Sequence, residues 1–237
     1  MAKSVGDKIY IGSGEKWQFN KNVAKNFKKH VNKSIPLYED SHEIIKKISD
    51  IFLKNNSVCY DLGCSLGNLI KDLAKRHKKK RIKFFGIDSS KDMIIEANKK
   101  NKDKRIVFLN NDLENLNLDK SNLIVCHYSL QFTNIKKRQK IINNIYKSLR
   151  KNGCLLLFEK IIEAKSNINY ISNSIYDDFK IQNGFSKKEI KVKKLSLKGI
   201  LKPQLNKNNI NLLKRAGFSN YEIIFKYTPF VGYIAIK

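Results

Sequence analysis

Between residues 57 and 158, short apolar runs alternate with amphipathic segments of ten residues or more. The pattern predicts strands at 57–62, 82–87, 106–109, 123–127 and 154–158, and helices at 68–77, 92–101 and 135–150. Parallel strands need crossovers of this length, and such crossovers are right-handed. The alternation therefore predicts a parallel sheet covered by helices on both faces. Nearly unbroken apolar runs at 82–87 and 154–158 agree, because a strand buried on both sides shows no polar alternation. After Glu159 the pattern breaks, and residues 160–205 read as a polar helical insertion without a strand. A helix at 208–216, ended by Gly217, then leads to strands at 221–227 and 233–237 around a turn at Pro229. These two strands form an antiparallel hairpin at one edge, giving a mostly parallel seven-stranded sheet.

Residues 1–16 are polar and glycine-containing, and read as a loosely held arm. A helix begins near Phe19, with Val23, Phe27 and Val31 on one face, and stops before Pro36. A second helix is predicted at 41–53 with Ser41 as its N-cap. The expected division is an N-terminal arm with lid helices, 1–56, and a ligand-binding domain, 57–237, carrying the insertion.

No apolar run approaches 18 residues, and the first residues lack the apolar core of a signal peptide, so a cytoplasmic protein without membrane contact is expected. The net charge is +27, which suggests nucleic acid. Only six of the 48 basic residues are arginine, however, and Asn and Ile are abundant throughout, which fits a compositional bias. The densest run, 75–81, reads first as a solvated loop, and direct nucleic-acid binding is left open. The four cysteines form no C-x-x-C pair and no histidine sits at zinc-finger spacing, so reduced thiols and no metal centre are expected.

The chemistry gathers at the carboxyl ends of the predicted strands, where open parallel sheets bind ligands. The first strand runs into Asp61-Leu62-Gly63-Cys64-Ser65-Leu66-Gly67. Glycines four apart between a strand and a helix let a ligand approach the backbone. The spacing is neither G-x-G-x-x-G nor G-x-x-x-x-G-K-[ST], which disfavours a pyrophosphate. The second strand ends in Asp88, suited to two ribose hydroxyls, and the third is followed by Asp112, suited to an exocyclic amine. Asp61 and the turn amides suit an ammonium and a carboxylate. An adenosyl amino acid satisfies all of these groups. His127, at the end of the fourth strand, is a candidate general base or a cofactor contact. Glu159 is a candidate polar group in the substrate cavity, or a helix cap.

Acids at three successive strand ends, with the terminal hairpin, resemble the Rossmann-like class I S-adenosyl-L-methionine (SAM) methyltransferases. Ser34-Ile35-Pro36-Leu37-Tyr38, Tyr60 to Gly67, Leu130-Gln131-Phe132, Glu159-Lys160 and Asp178-Phe179-Lys180 with Asn183-Gly184-Phe185-Ser186 narrow the resemblance to the carboxy-SAM synthase family. That family was formerly called a tRNA wobble-uridine methyltransferase. The resemblance implies that prephenate supplies a carboxylate to the SAM methyl carbon and that phenylpyruvate leaves. The product, carboxy-SAM, then serves a partner enzyme in tRNA modification. It also implies a homodimer, and cofactor contacts from Tyr38, Gly63, Cys64, Ser65, Asp88, Ser89, Asp112 and Leu113. Two positions depart from the family: His127 replaces an asparagine, and Lys194 replaces the arginine that grips the new carboxylate. Lysine pairs with a carboxylate, but without a planar fork. Lys194 and His127 are the expected catalytic residues. An ordinary SAM-dependent methyltransferase of a small molecule or RNA, and a non-catalytic SAM- or RNA-binding protein, stay open at this point.

Overall fold

The computed structural model describes residues 2–237. A small antiparallel hairpin, β1 (Lys3–Ser4) and β2 (Tyr10–Ile11), precedes helices α1 (Lys21–Ser34) and α2 (Tyr38–Phe52). The main sheet is built from β3 (Val58–Leu62), β4 (Lys83–Asp88), β5 (Ile106–Asn110), β6 (Ser121–His127) and β7 (Leu149–Ile162). A short β8 (Gln204–Leu205) pairs with the end of β7, and β9 (Asn220–Tyr227) and β10 (Phe230–Ile236) close the edge. The order is β5-β4-β3-β6-β7-β10-β9, parallel through β7, with β10 antiparallel to both β7 and β9. The expected seven-stranded sheet with its antiparallel hairpin is thus present.

Helices α3 (Asn68–Arg76), α4 (Lys91–Lys99) and α5 (Ile135–Ser148) are the crossovers. The insertion holds α6 (Ser166–Gln182) and α7 (Lys187–Ser196), and α8 (Asn206–Ala216) leads into the closing hairpin. The sheet carries a core on each face. Ile45, Leu53, Ile70 and Leu73 pack on Phe84, Leu156 and Phe158 on one side. Ile141, Ile145, Leu213 and Phe218 pack on Leu62, Ile87 and Leu157 on the other.

Three local expectations are corrected. The N-terminal arm is not loosely held: Val5, Ile9, Ile11 and Trp17 are buried in a third core with Val23, Ala24, Leu66 and Met93. Each such side chain contributes about 1.5–3 kcal/mol by burial, which pins the arm against the body. Helix α2 starts at Tyr38, not Ser41, because Leu37 takes a left-handed turn (φ 52°) directly after Pro36 and re-enters the helix at once. Ser41 is buried and donates from Oγ to the Tyr38 carbonyl at 2.6 Å. Strand β7 runs four residues beyond 158, because β10 pairs with it up to Lys160 and the Pro229 carbonyl accepts from the Ile161 amide at 2.7 Å.

Candidate active site

Strand order reverses between β3 and β6, which opens a crevice beyond their carboxyl ends. The glycine turn fills one wall. Gly63 has φ +82°, and a Cβ there would lie 2.2 Å from the Ser129 Cβ, so the loop after β6 packs directly on the turn. Gly67, also left-handed, starts α3. Asp88 ties the turn to β4: its Oδ2 accepts from the Ser65 amide and its Oδ1 from the Ser90 amide, each at 2.8 Å. One lone pair on each oxygen is left for the cavity, matching two vicinal hydroxyls.

Asp61 is buried and borders the same cavity, and no cation is paired with it among the described residues. Burial, and then the neighbouring Asp88 charge, push its carboxyl up to about 7. An ammonium placed beside it would restore the ionised form. Asp112 is exposed at the mouth, where its Oδ1 accepts from the Glu114 amide at 3.0 Å and caps a short turn. The helix-cap role and a place on the cavity wall therefore coexist in one carboxylate.

The cavity measures about 410 Å³. Gly63, Cys64, Ser65, Ser89 and Leu113 border it along with the three acids. Tyr38 and His127 close the opposite side. The Ser41 hydroxyl has one proton, given to the Tyr38 carbonyl, so at 2.8 Å it accepts from His127 Nε2. That fixes the His127 tautomer with Nδ1 unprotonated. Desolvation, and then the neighbouring His42, hold the imidazole well below its ordinary pKa, so His127 stays neutral. Tyr128, the next residue, adopts a left-handed φ of 58° with its ring on the cavity wall. Strain of this kind persists only where the surroundings over-determine it.

Lys194 borders a chamber beside this cavity. It is exposed and does not border this cavity, whereas Lys193 does. Helix periodicity explains the difference: Ile190 and Lys193 lie on the inward face of α7, and Lys191 and Lys194 lie on its exposed side, bordering a neighbouring chamber. Glu159 is likewise buried away from the cavity, where burial raises its carboxyl to about 8 against the opposing pull of Arg138. Its neighbour Lys160 borders the cavity instead. Strand parity sets this, since Leu156 and Phe158 face the α2–α3 side with Lys160, and Leu155 and Leu157 face the other. That parity was available in the sequence. Trp17, Phe19 and His30, which cover the cavity from the N-terminal segment, had no local motif to announce them.

A methyltransferase-domain profile matches residues 59–153. Among curated proteins, the carboxy-S-adenosyl-L-methionine synthase of Staphylococcus epidermidis is 36% identical over 222 residues, 93% of this chain and 97% of its own. That of Nautilia profundicola is 36% identical over 236 residues, 98% of this chain and 99% of its own. That of Campylobacter jejuni is 34% identical over 234 residues, again 98% and 99%. In fold, a candidate SAM-dependent methyltransferase from Methanococcus maripaludis superposes with a TM-score of 0.63 at 23% identity, covering 94% of this chain and 95% of its own. The plantazolicin methyltransferase BpumL gives 0.66 at 16%, covering 89% of each. With that identity over nearly all of both sequences, and with the glycine turn and its three acids on a class I methyltransferase sheet, this chain belongs to the carboxy-S-adenosyl-L-methionine synthase family.

Proposed function

We propose that the protein converts SAM and prephenate to carboxy-SAM and phenylpyruvate. The observation that carries the reading is the convergence of Asp61, Asp88 and Asp112 on one cavity around the glycine turn. Asp88 takes the ribose hydroxyls, Asp112 the adenine amine, and Asp61 the ammonium of the methionine part. Gly63, Cys64 and Ser65 supply close backbone approach, and Ser89 and Leu113 flank the adenosine. Tyr38 and His127 face the sulfonium end. A neutral imidazole there leaves no competing cation beside the sulfonium.

The reaction balances without a further reagent. The prephenate ring loses its carboxylate and its hydroxyl and becomes aromatic. A carbon–carbon bond forms between that carboxyl carbon and the SAM methyl carbon. The methyl proton leaves with the hydroxyl as water. The protein's part is orientation and charge compensation in a water-poor cavity. Incubating purified protein with SAM and prephenate and analysing the nucleosides by mass spectrometry tests this: prephenate-dependent carboxy-SAM supports it, and SAM unchanged after prolonged incubation sinks it.

Three further parts of the reading have their own support. The segment 1–56 serves as the cover of the site, since α1, α2 and, just before α1, Trp17 and Phe19 border the cavity. A homodimer fits the exposed apolar stripe Ile168, Ile171 and Ile175 on α6, with Tyr170 beside it. Light scattering of the purified protein distinguishes dimer from monomer. A reducing, cytoplasmic location fits four free and buried cysteines.

A further inference from the structure

The SAM cavity adjoins a second chamber of about 430 Å³, and the two share the wall formed by Ser34, Lys160, Tyr176, Lys193, Leu197 and Leu201. Val5, Phe185 and Ile190 give the second chamber an apolar lining; Lys180, Lys191, Lys194 and Lys198 add positive charge that outnumbers the carboxylates of Asp177 and Glu189. Of these cations, Lys180 has a carboxylate, Asp177 at 2.6 Å. Lys160 and Lys193 have none within ion-pair distance among the described residues. The Tyr176 ring lies under two ammonium groups, Lys180 at 4.0 Å and Lys160 at 4.6 Å.

Lys193 is held in place from the N-terminal segment. Its Nζ donates to His30 Nε2, and it lies 3.3 Å from Ser34 Oγ and 5.1 Å from the centre of the Trp17 ring. Because His30 accepts at Nε2, its proton is on Nδ1, which donates to Asp7 Oδ2 at 3.2 Å. Trp17 stacks on the imidazole. Asp7, His30 and Lys193 therefore form a chain of hydrogen bonds that fixes one ammonium at the boundary between the cavities. Burial, and then repulsion from Lys180, lower Lys193 to about 7, and the same causes lower Lys160 to about 8. Asp7 and Asp177 offset only part of this at a distance; half-buried ammonium groups that repel one another and make no direct ion pair are costly in the empty protein, and an anion relieves that cost.

We propose that this lysine-walled chamber binds the second substrate, a small dicarboxylate with an apolar ring, through Lys160 and Lys193, and that His30 and Asp7 position Lys193. The assignment rests on the proposed carboxylate transfer. Neither ammonium makes a direct ion pair, so a ligand with two negative charges can meet both, and one carboxylate would leave the other lysine without a direct partner. The apolar lining suits a hydrocarbon ring between the charges. Both lysines lie on the shared wall, so a carboxylate held there faces the SAM side.

The test measures prephenate KM for carboxy-SAM formation, together with SAM affinity by calorimetry, in Lys160→Gln, Lys193→Gln, His30→Ala and His30→Gln. Each lysine variant is expected to raise the prephenate KM at least tenfold with the SAM Kd within threefold of wild type. His30→Ala is expected to raise KM without changing SAM affinity, and His30→Gln, which keeps an acceptor for the ammonium, to recover part of the loss. If a glutamine variant does not fold, Lys160→Met or Lys193→Met replaces it. Unchanged prephenate KM in both lysine variants overturns the proposal, as does an equal loss of SAM affinity. Titrating prephenate into protein saturated with S-adenosylhomocysteine separates this from the reaction itself. Binding that Lys193→Gln removes supports the chamber even if wild type makes no carboxy-SAM, and no binding to wild type refutes it.

Discussion

Asp61→Asn is expected to make the empty protein more stable and the SAM complex weaker. The carboxyl titrates near its ordinary 3.8 in the unfolded chain and near 7 in the folded one. A raised acid contributes stability that is whole below the lower value and is lost as pH rises through the upper one. The rise from 3.8 to about 7 amounts to about 4 kcal/mol lost by pH 8. Asparagine removes the ionisation but leaves an unpaired amide in the same place, costing about 1–2 kcal/mol. The net gain at pH 8 is about 2–3 kcal/mol, or ~5–10 °C in Tm for a chain of this size. Meanwhile the ligand ammonium loses a charge-assisted bond of about 1.5–3 kcal/mol, so SAM binds ~10- to 150-fold more weakly. Thermal melting without ligand from pH 5 to 8, and calorimetry with SAM at pH 8, read both effects. The difference in Tm between variant and wild type should widen as pH rises. A constant difference across that range, or undiminished SAM affinity, would refute the assignment of a buried carboxylate poised for an ammonium.

Asp88→Ala removes the acceptor for the Ser65 and Ser90 amides as well as for the ligand, and is expected to weaken SAM binding by at least ~100-fold in calorimetry. Gly63→Ala forces a Cβ onto Ser129 at a left-handed φ and is expected to cost about 2–4 kcal/mol, seen as a Tm lower by ~5–15 °C. His127→Asn is expected to leave the shape of the pH–rate profile between pH 5.5 and 8 unchanged, because the imidazole is already neutral there. A limb that disappears from the profile would restore it as a titrating base. Lys194→Ala is expected to change SAM affinity less than threefold, since its side chain lies outside that cavity.

The sheet and the SAM end of the site were legible because local rules write them. Strand–helix alternation set the topology, and Asp61, Asp88 and Asp112 sit where a parallel sheet ends its strands. The substrate end was not legible in the same way. A motif names Lys194, and one step of 100° along α7 separates it from Lys193, which borders the SAM cavity. Glu159 and Lys160 are exchanged by strand parity in the same fashion. The arm looked loose because its apolar residues, Val5, Ile9 and Ile11, follow neither helical nor strand spacing over any useful length. Their partners, Leu66 and Met93, are distant in sequence.

The arm has a consequence for the order in which the molecule can be assembled. Ser4 Oγ donates to Glu189 Oε1 at 2.7 Å, the Trp17 amide donates to the Ser196 carbonyl at 3.0 Å, and His30 meets Lys193. These are among the longest loop closures in the chain, and loop entropy must be met before such contacts return anything. During synthesis β3, β4 and their helices can pair, and the arm can meet Leu66 and Met93, while Ser4, Trp17 and His30 still wait for Glu189, Ser196 and Lys193. The adenosine end of the site is thus written early and the carboxylate end last, by stitching the first segment of the chain to α7.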